Sequence, residues 1–118
     1  MADLKTTLSE LSVIEGVKAS LVIGRDGFVI ESANASAQVD DDAIAAAISS
    51  GIGASEVIGR ELAVGTLDQG MFEYKDGMLI VSLLGPDAIL AVVADQRSNL
   101  GNIRYQVKKR IGVLSAAL

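Results

Sequence analysis

The sequence contains no cysteine, no histidine and no tryptophan. Without cysteine, neither disulfides nor thiolate chemistry is possible, and zinc sites of thiolates or imidazoles cannot be built. Without histidine, the side chain that titrates near neutral pH is missing, and with it Ser–His and Cys–His nucleophile pairs. Any catalysis would have to use carboxylate, lysine, tyrosine or serine groups.

Aromatic residues and long apolar runs are also scarce. The aromatic residues are Phe28, Phe72, Tyr74 and Tyr105, although half of the 118 residues are hydrophobic. The core must therefore be built from Val, Ile, Leu and Ala, and the length suits one domain over residues 1–118. No apolar run reaches the ~18–20 residues that span a bilayer, and the polar start "MADLKTTLSELSVIEG" lacks the apolar core of a signal peptide. We expect a cytoplasmic protein without membrane insertion.

Charge is distributed unevenly along the chain. All 15 acidic residues and five basic ones lie within residues 1–96, and no acid follows them. The remaining basic residues are Arg97, Arg104, Lys108, Lys109 and Arg110. Two explanations are open: a cationic C-terminal helix is stabilised by its own macrodipole, or a basic surface serves an acidic partner. A nucleic acid partner is not expected, because the rest of the surface is acidic and few aromatic rings can stack on bases.

Hydrophobic spacing and turn signals predict eight elements. Asp26-Gly27 and Asp76-Gly77 each lie between apolar runs, which predicts two β-hairpins, the first with a type I′ turn. The three aspartates at residues 40–42 suit a helix start, where they cap free amides. The predicted helices cover residues 3–14, residues 42–62 and a segment capped by Ser98 or Asn99. The predicted strands cover residues 18–24, 28–33, 66–75, 78–84 and 88–94.

The fourth and fifth predicted strands are apolar on both faces. In the fourth strand, one face carries Met78, Ile80 and Leu84, and the other carries Leu79, Val81 and Leu83. A sheet with one face in water would alternate with polar residues. Both faces must therefore be covered. We expect an α/β fold, namely a three-layer α/β/α sandwich around a five-stranded antiparallel sheet in the order αββαβββα.

The predicted middle helix carries little charge on the side that should face water. Its apolar stripe, expected to contact the sheet, consists of Ile44, Ile48, Ile52, Ser55, Ile58 and Leu62. The opposite side holds Ala46, Ser49, Ser50, Gly53 and Val57. Each glycine inside a helix costs about 1 kcal/mol relative to alanine, and close packing against a second helix would explain that cost. We expect a homodimer, since two-fold self-association is the commonest oligomer. The alternative is a solvated alanine–serine surface with a kink.

The third predicted strand adds Phe72 and Tyr74 to this candidate interface. It is expected to pair with the fourth strand and to lack a partner on its other side. An exposed apolar edge is a hazard unless it is paired, and pairing with its own copy would extend the sheet across a dimer. The alternative, compatible with the first, is that both rings fill the core beside the helix ends.

No catalytic, cofactor or metal site is predicted. The stretch "GIGASEVIG" (residues 51–59) has Glu56 in place of the third glycine of G-x-G-x-x-G, and it lies inside a helix. The aspartates at residues 40–42 point in different directions, so we expect capping rather than metal binding. Glu31, Asp68, Glu73 and Asp95 lie at strand ends, and nothing pairs them at catalytic spacing. We therefore do not expect an enzyme.

Three segments together resemble the roadblock / dynein light chain family, of the stand-alone prokaryotic type. They are "LSELSVIEGVKASLVIGRDGFVIES", "LAVGTLDQGMFEYKDGMLIVSLLGPDAILAVVAD" and "SNLGNIRYQVKKRI", and they span nearly the whole chain. The resemblance implies a roadblock fold, similar to longin and profilin folds, and dimers in which middle helices pack together and third strands join the sheets. Carried over by position, that interface uses Ala46, Ser49, Ser50, Gly53, Val57, Phe72 and Tyr74.

The resemblance also implies a function. Family members scaffold or regulate small Ras-like GTPases, and one bacterial branch activates a polarity GTPase by remodelling its active site without inserting an arginine. A homodimeric GTPase regulator or scaffold is therefore the first hypothesis. The alternative is a ligand-sensing or structural α/β signalling module with no GTPase partner, which would hold a small molecule under its helices.

Overall fold

A computed structural model describes residues 3–34, 40–96 and 98–118, so Arg97 lies outside the described residues. The described residues form three helices and five strands in the order αββαβββα, as predicted. The helices are α1 (Leu4–Ser12), α2 (Asp41–Leu62) and α3 (Leu100–Ala116). The strands are β1 (Val17–Gly24), β2 (Val29–Asn34), β3 (Gln69–Tyr74), β4 (Gly77–Leu83) and β5 (Ala88–Asp95).

All five strands belong to one antiparallel sheet in the order β2-β1-β5-β4-β3. The β1–β2 and β3–β4 hairpins are present, and β5 follows β4 through a turn in which Gly85 has a φ of +75°. The central strands β1 and β5 are buried on both faces over most of their length. Within the described residues, β2 and β3 form the two edges of the sheet.

The turns of the two hairpins differ from the Asp-Gly turns predicted from the sequence, of which the first was predicted to be type I′. In the first, Gly27 has a φ of +92°, whereas Asp26 does not have a positive φ. Gly27 N–H donates to the carbonyl of Gly24 at 2.9 Å, so the turn spans residues 24–27 and glycine occupies its last position. A type I turn followed by a left-handed glycine has this arrangement. The type I′ prediction is wrong because it needs two residues of positive φ.

In the second hairpin, Lys75 and Asp76 form the turn, and Gly77 is already the first residue of β4. The predicted hairpin at Asp76-Gly77 is therefore present with Asp76 in its turn, whereas the φ of Gly77 is not positive. Glycine is needed at position 77 for another reason, because a Cβ there would lie 2.7 Å from the carbonyl oxygen of Ala94 on β5. Close packing of neighbouring strands therefore requires Gly77.

Short polar side chains begin the three helices. Asp40 accepts a hydrogen bond from the backbone of Ala43 at the start of α2, and Asn99 caps α3. These two caps confirm the predicted helix starts. At α1, the backbone N–H of Thr6 donates to Asp3 Oδ1 at 2.7 Å, and this hydrogen bond lowers the pKa of Asp3 below its usual value.

Apolar side chains cover both faces of the sheet, which confirms the three-layer sandwich. On one face, α1 and α3 contribute buried Leu8, Leu11, Ile103, Val107 and Leu114, which pack on Val22, Ile80 and Leu90. On the other face, α2 contributes buried Ala45, Ile48 and Ile52, which pack on Leu21, Ile23 and Ala91. The rule that doubly apolar strands need two covering layers therefore holds here.

The basic residues of α3 do not lie at its C-terminal end. The last turn contains none, and the bases of the helix run from Arg104 to Arg110. The stabilisation of a cation by the helix macrodipole falls off within the last turn. The dipole explanation of these charges is therefore wrong, and the explanation by an acidic partner stays open.

Candidate functional site

The helix α2 lies over β1 and β2 and leaves the β3–β4 half of that face open. Contact with the sheet is lost towards its C-terminus: Ile52 is 2% exposed, whereas Ile58 is 58% exposed and Leu62 is 65% exposed. The prediction that Ile58 and Leu62 contact the sheet is wrong. The reason is length: a helix of 22 residues is about 33 Å long, and a strand of eight residues beneath it spans about 26 Å.

An apolar groove lies between α2 and the β3–β4 hairpin. It consists of two cavities of about 170 and 370 Å³ that share four lining residues. The shared residues are Ala47, Ile48, Tyr74 and Leu79. Phe72, Gly51, Ile52 and Val81 complete the first cavity. The groove therefore exposes apolar side chains of the sheet that α2 does not cover.

The two edges of the sheet differ in their protection. At β2, the pairing with β1 is interrupted by a bulge between Val22 and Ile23, and Lys5 Nζ donates to the carbonyl oxygen of Ser32. Bulges and lysines are the features that block further strand pairing. Within the described residues, β3 pairs without interruption with β4 and with no other strand. The edge strand predicted from the sequence is therefore confirmed, and β3 is the edge suited to another strand.

Phe72 and Tyr74 on β3 line the apolar groove. Phe72 is 39% exposed and Tyr74 is 64% exposed, so neither ring is buried in the core of the single chain. Across the groove lie Ala47 and Gly51 of α2, which sequence reasoning missed. They are as small as the residues it selected, but a helical projection does not reveal on which flank of α2 the sheet is open.

The five α2 residues predicted at a dimer interface lie elsewhere on the helix. Ser49 Oγ donates a 2.7 Å hydrogen bond to the carbonyl oxygen of Arg25, and Ala46 lies beside Gly27 of the same turn. The other three, Ser50, Gly53 and Val57, are exposed. Ala46, Ser49 and Ser50 line a separate cavity of about 590 Å³ beside the β1–β2 turn, which neither Phe72 nor Tyr74 lines. Their role at a dimer interface stays a prediction.

A polar clasp of Arg25 and its partners holds α2 in position. The guanidinium of Arg25 forms an ion pair with Glu56 on α2 and donates to the carbonyl oxygen of Pro86 at 3.4 Å. The backbone N–H of Arg25 also donates to the carbonyl of Asp87 at 3.0 Å. The β1–β2 turn is thereby joined both to α2 and to the β4–β5 turn.

The described segments contain no group of three or more acidic side chains that could hold a metal ion. At the aspartate run, Asp40 caps α2 and Asp41 accepts a 2.7 Å hydrogen bond from the side-chain amide of Asn34. In the same segments, no helix combines the length and the apolar character needed to cross a membrane.

The comparisons with known proteins agree with this geometry. A family model described as the Roadblock/LC7 domain matches residues 3–94. An uncharacterised protein of Methanocaldococcus jannaschii is 38% identical over 109 residues, which cover 92% of this chain and 94% of that protein. Myxococcus xanthus MglB has a TM-score of 0.86 at 18% identity, covering 96% of this chain and 90% of that one. Acanthamoeba castellanii profilin II has a TM-score of 0.65 at 18% identity, covering 95% and 96% of the two chains. At these identities the two structures establish a shared fold alone.

Proposed function

The chain belongs to the Roadblock/LC7 domain family, and from this membership we propose that it is a homodimeric regulator or scaffold of a small Ras-like GTPase. It acts through protein–protein contacts, either by activating GTP hydrolysis in the partner or by binding one nucleotide state of it. In this proposal the chain performs no bond-making chemistry of its own, and Arg60 on α2 is not assigned as an arginine finger.

The observation that carries the proposal is the exposed apolar surface shared by α2 and β3. Phe72 and Tyr74 lie on an edge strand that pairs regularly on one side and, within the described residues, has no strand on the other. An antiparallel strand can pair with its own copy about a two-fold axis, which gives a closed dimer. Such pairing would join two sheets into one and cover both aromatic side chains.

The helix α2 has to contribute to the same dimer. A specific interface buries about 800 Å² on each partner, which is more than pairing of a six-residue edge strand provides. The exposed side chains of Ile58 and Leu62 supply apolar area on α2, on the flank of the helix that also carries Gly51. A partner helix packed on α2 would therefore complete the interface that β3 begins.

The first test is the association state of the chain. In sedimentation equilibrium, wild-type protein should form a dimer. The variant Phe72→Asp should be monomeric at concentrations where Val13→Asp, the same kind of change at an exposed apolar residue that ends α1, remains dimeric. A wild-type single subunit at high protein concentration would refute the dimer, and a Phe72→Asp variant that remains dimeric would exclude the β3 edge from the interface.

The second test concerns the partner. Proteins that the wild-type chain captures from native cell extract should include a Ras-like GTPase. GTP hydrolysis or nucleotide release by that GTPase should change when the chain is added. Phe72→Asp should weaken this effect if the dimer is the active form. A dimer without any influence on the GTPases recovered contradicts the proposed regulator.

One feature supports the alternative, a ligand-sensing module. The larger cavity of the apolar groove has about 370 Å³, which falls in the range of small-molecule sites. If a metabolite remains bound through purification, fills this groove and no GTPase responds, the sensing module is the correct interpretation. If the apolar groove is instead covered by the partner subunit of a dimer, small apolar compounds added to the protein should not dissociate the dimer.

A further inference from the structure

A separate cavity lies on the opposite face of the sheet, between α3 and the β3–β4 hairpin. Its volume is about 510 Å³, and we refer to it as the basic groove. The polar side chains that line it are Arg104, Tyr105 and Lys108 on α3, and Asp68, Gln69 and Ser82 on the sheet side. This groove is separate from the apolar groove on the α2 face.

The two cations of the basic groove lack acidic partners. Among the described residues, no carboxylate lies within 4 Å of Arg104 or Lys108. Arg110 on the same helix shows the contrast, because its guanidinium pairs with Glu10 at 3.1 Å. One carboxylate, that of Asp68, also lines the groove, so the groove keeps a net positive charge.

Neither helix stability nor core packing accounts for these cations. Both side chains are exposed. Both also lie before the last turn of α3, and the macrodipole would stabilise them only within that turn. The chain as a whole has a formal net charge of −5, and all 15 of its carboxylate side chains lie within residues 1–96. A concave positive site on a chain of net negative charge focuses the local potential and steers anionic groups to that place.

The remaining polar groups of the groove suit carboxylates. The guanidinium of Arg104 can donate two parallel hydrogen bonds to a carboxylate, and the ammonium of Lys108 acts as a point charge four residues further along the same helix. Tyr105 adds a hydroxyl donor on the same wall. Beneath them, the side-chain amide of Gln69 donates to the buried hydroxyl of Ser82 at 3.4 Å, which gives the groove a polar floor.

We propose that the basic groove binds a carboxylate-rich segment of a partner protein. A protein segment fits better than a membrane or a nucleic acid, because Arg104 and Lys108 line a concavity that a narrow segment can enter. A broad anionic surface would also meet the repulsion of a chain whose net charge is −5. The proposal does not depend on a GTPase partner or on the dimer.

The test uses a fluorescein-labelled oligoglutamate peptide as the probe, with binding followed by fluorescence anisotropy. The double variant Arg104→Glu/Lys108→Glu should weaken binding by about tenfold or more, because two attractions become repulsions. The matched control Lys109→Glu, an exposed base of α3 that does not line the groove, should change the affinity by less than about twofold at moderate salt. Asp68→Asn should strengthen binding.

Several results would overturn the proposal. They are absence of oligoglutamate binding to the wild type, an equal loss in Lys109→Glu, and tighter binding of anionic vesicles or oligothymidylate with the same dependence on Arg104 and Lys108. If the charge-reversed double variant fails to fold by circular dichroism, Arg104→Gln/Lys108→Gln replaces it and should still weaken binding. Sedimentation of the double variant should match wild type, which separates this site from the proposed dimer interface.

Discussion

Replacing the two central glycines of α2 by alanine, one at a time, tests which flank of the helix receives a partner. Gly51 lines the apolar groove, whereas Gly53 does not. Two residues apart in a helix, they project about 200° from each other. At both positions an added Cβ would meet no heavy atom of the described residues within 4 Å. Each change therefore adds a methyl group to open space in the single chain.

The two effects expected from each change have opposite signs. In the single chain, alanine should raise the free energy of unfolding by about 1 kcal/mol, the propensity difference inside a helix. At a close contact between helices, the same methyl group overpacks the interface at a cost of roughly 1–3 kcal/mol. That cost corresponds to an increase of about 5- to 150-fold in the dimer dissociation constant.

Two measurements separate these effects. Sedimentation equilibrium gives the dimer dissociation constant of each variant. Urea unfolding in a Phe72→Asp background, expected to be monomeric, gives the stability of the single chain. Gly112→Ala is the matched control, since it lies inside α3 with open space around its Cβ position. It should stabilise the chain by a similar amount without changing its association.

The outcome distinguishes three arrangements. Weaker association in Gly51→Ala alone places the partner in the apolar groove. Weaker association in Gly53→Ala alone places it on the outer surface with Ser50 and Val57. If neither variant associates less tightly than wild type, the reasoning is refuted, and the small residues of α2 form a solvated surface.

Three further changes test the single chain, each by urea denaturation. Ala63→Gly should raise the free energy of unfolding by about 1 kcal/mol, because Ala63 ends α2 with a φ of 56°, a left-handed conformation that costs non-glycine residues roughly 1–2 kcal/mol. Gly77→Ala should lower it by about 1–3 kcal/mol, since the new Cβ would lie 2.7 Å from the carbonyl oxygen of Ala94. Glu56→Gln should lower it by about 0.5–1 kcal/mol through loss of the partly exposed ion pair with Arg25, and less at high salt.

Matched variants exclude general effects of each substitution. Ala54→Gly, at an exposed interior position of α2, should destabilise by about 1 kcal/mol, so a stabilising effect there would contradict the explanation for Ala63. Glu61→Gln removes an exposed carboxylate that has no ion pair among the described residues, and it should leave stability unchanged within about 0.5 kcal/mol. If Glu61→Gln lowers the free energy of unfolding as much as Glu56→Gln does, both losses come from the change in net charge rather than from the clasp.

Much of the fold is predictable because its signals are local. Asp40 and Asn99 mark helix starts through hydrogen bonds to amides a few residues away. The doubly apolar strands β4 and β5 require cover on both faces, whichever helix provides it. Edge position, too, follows for β3 from the hairpin order. These inferences need no knowledge of distant contacts, and the structure confirms them.

The features that were missed depend on distant contacts. A helical projection gives the apolar stripe of α2 but not its position over the sheet, so exposure of Ile58 and Leu62 could not be inferred. The role of Gly77 depends on the approach of β5, which is distant in sequence. The flank of α2 that borders the apolar groove, with Ala47 and Gly51, follows from the same placement and was missed for the same reason.

The residues that weaken the single chain are concentrated on α2 and β3. Gly51 and Gly53 reduce helix stability without relieving any crowding in the described residues, and Ala63 holds a left-handed conformation where glycine is favoured. Ile58 and Phe72 expose apolar area nearby. A chain selected only for its own stability would have other residues at these positions, because a single substitution at each would stabilise it. The proposed contact between two copies would compensate for these residues, whichever flank of α2 it uses, as expected where local rules are broken for function.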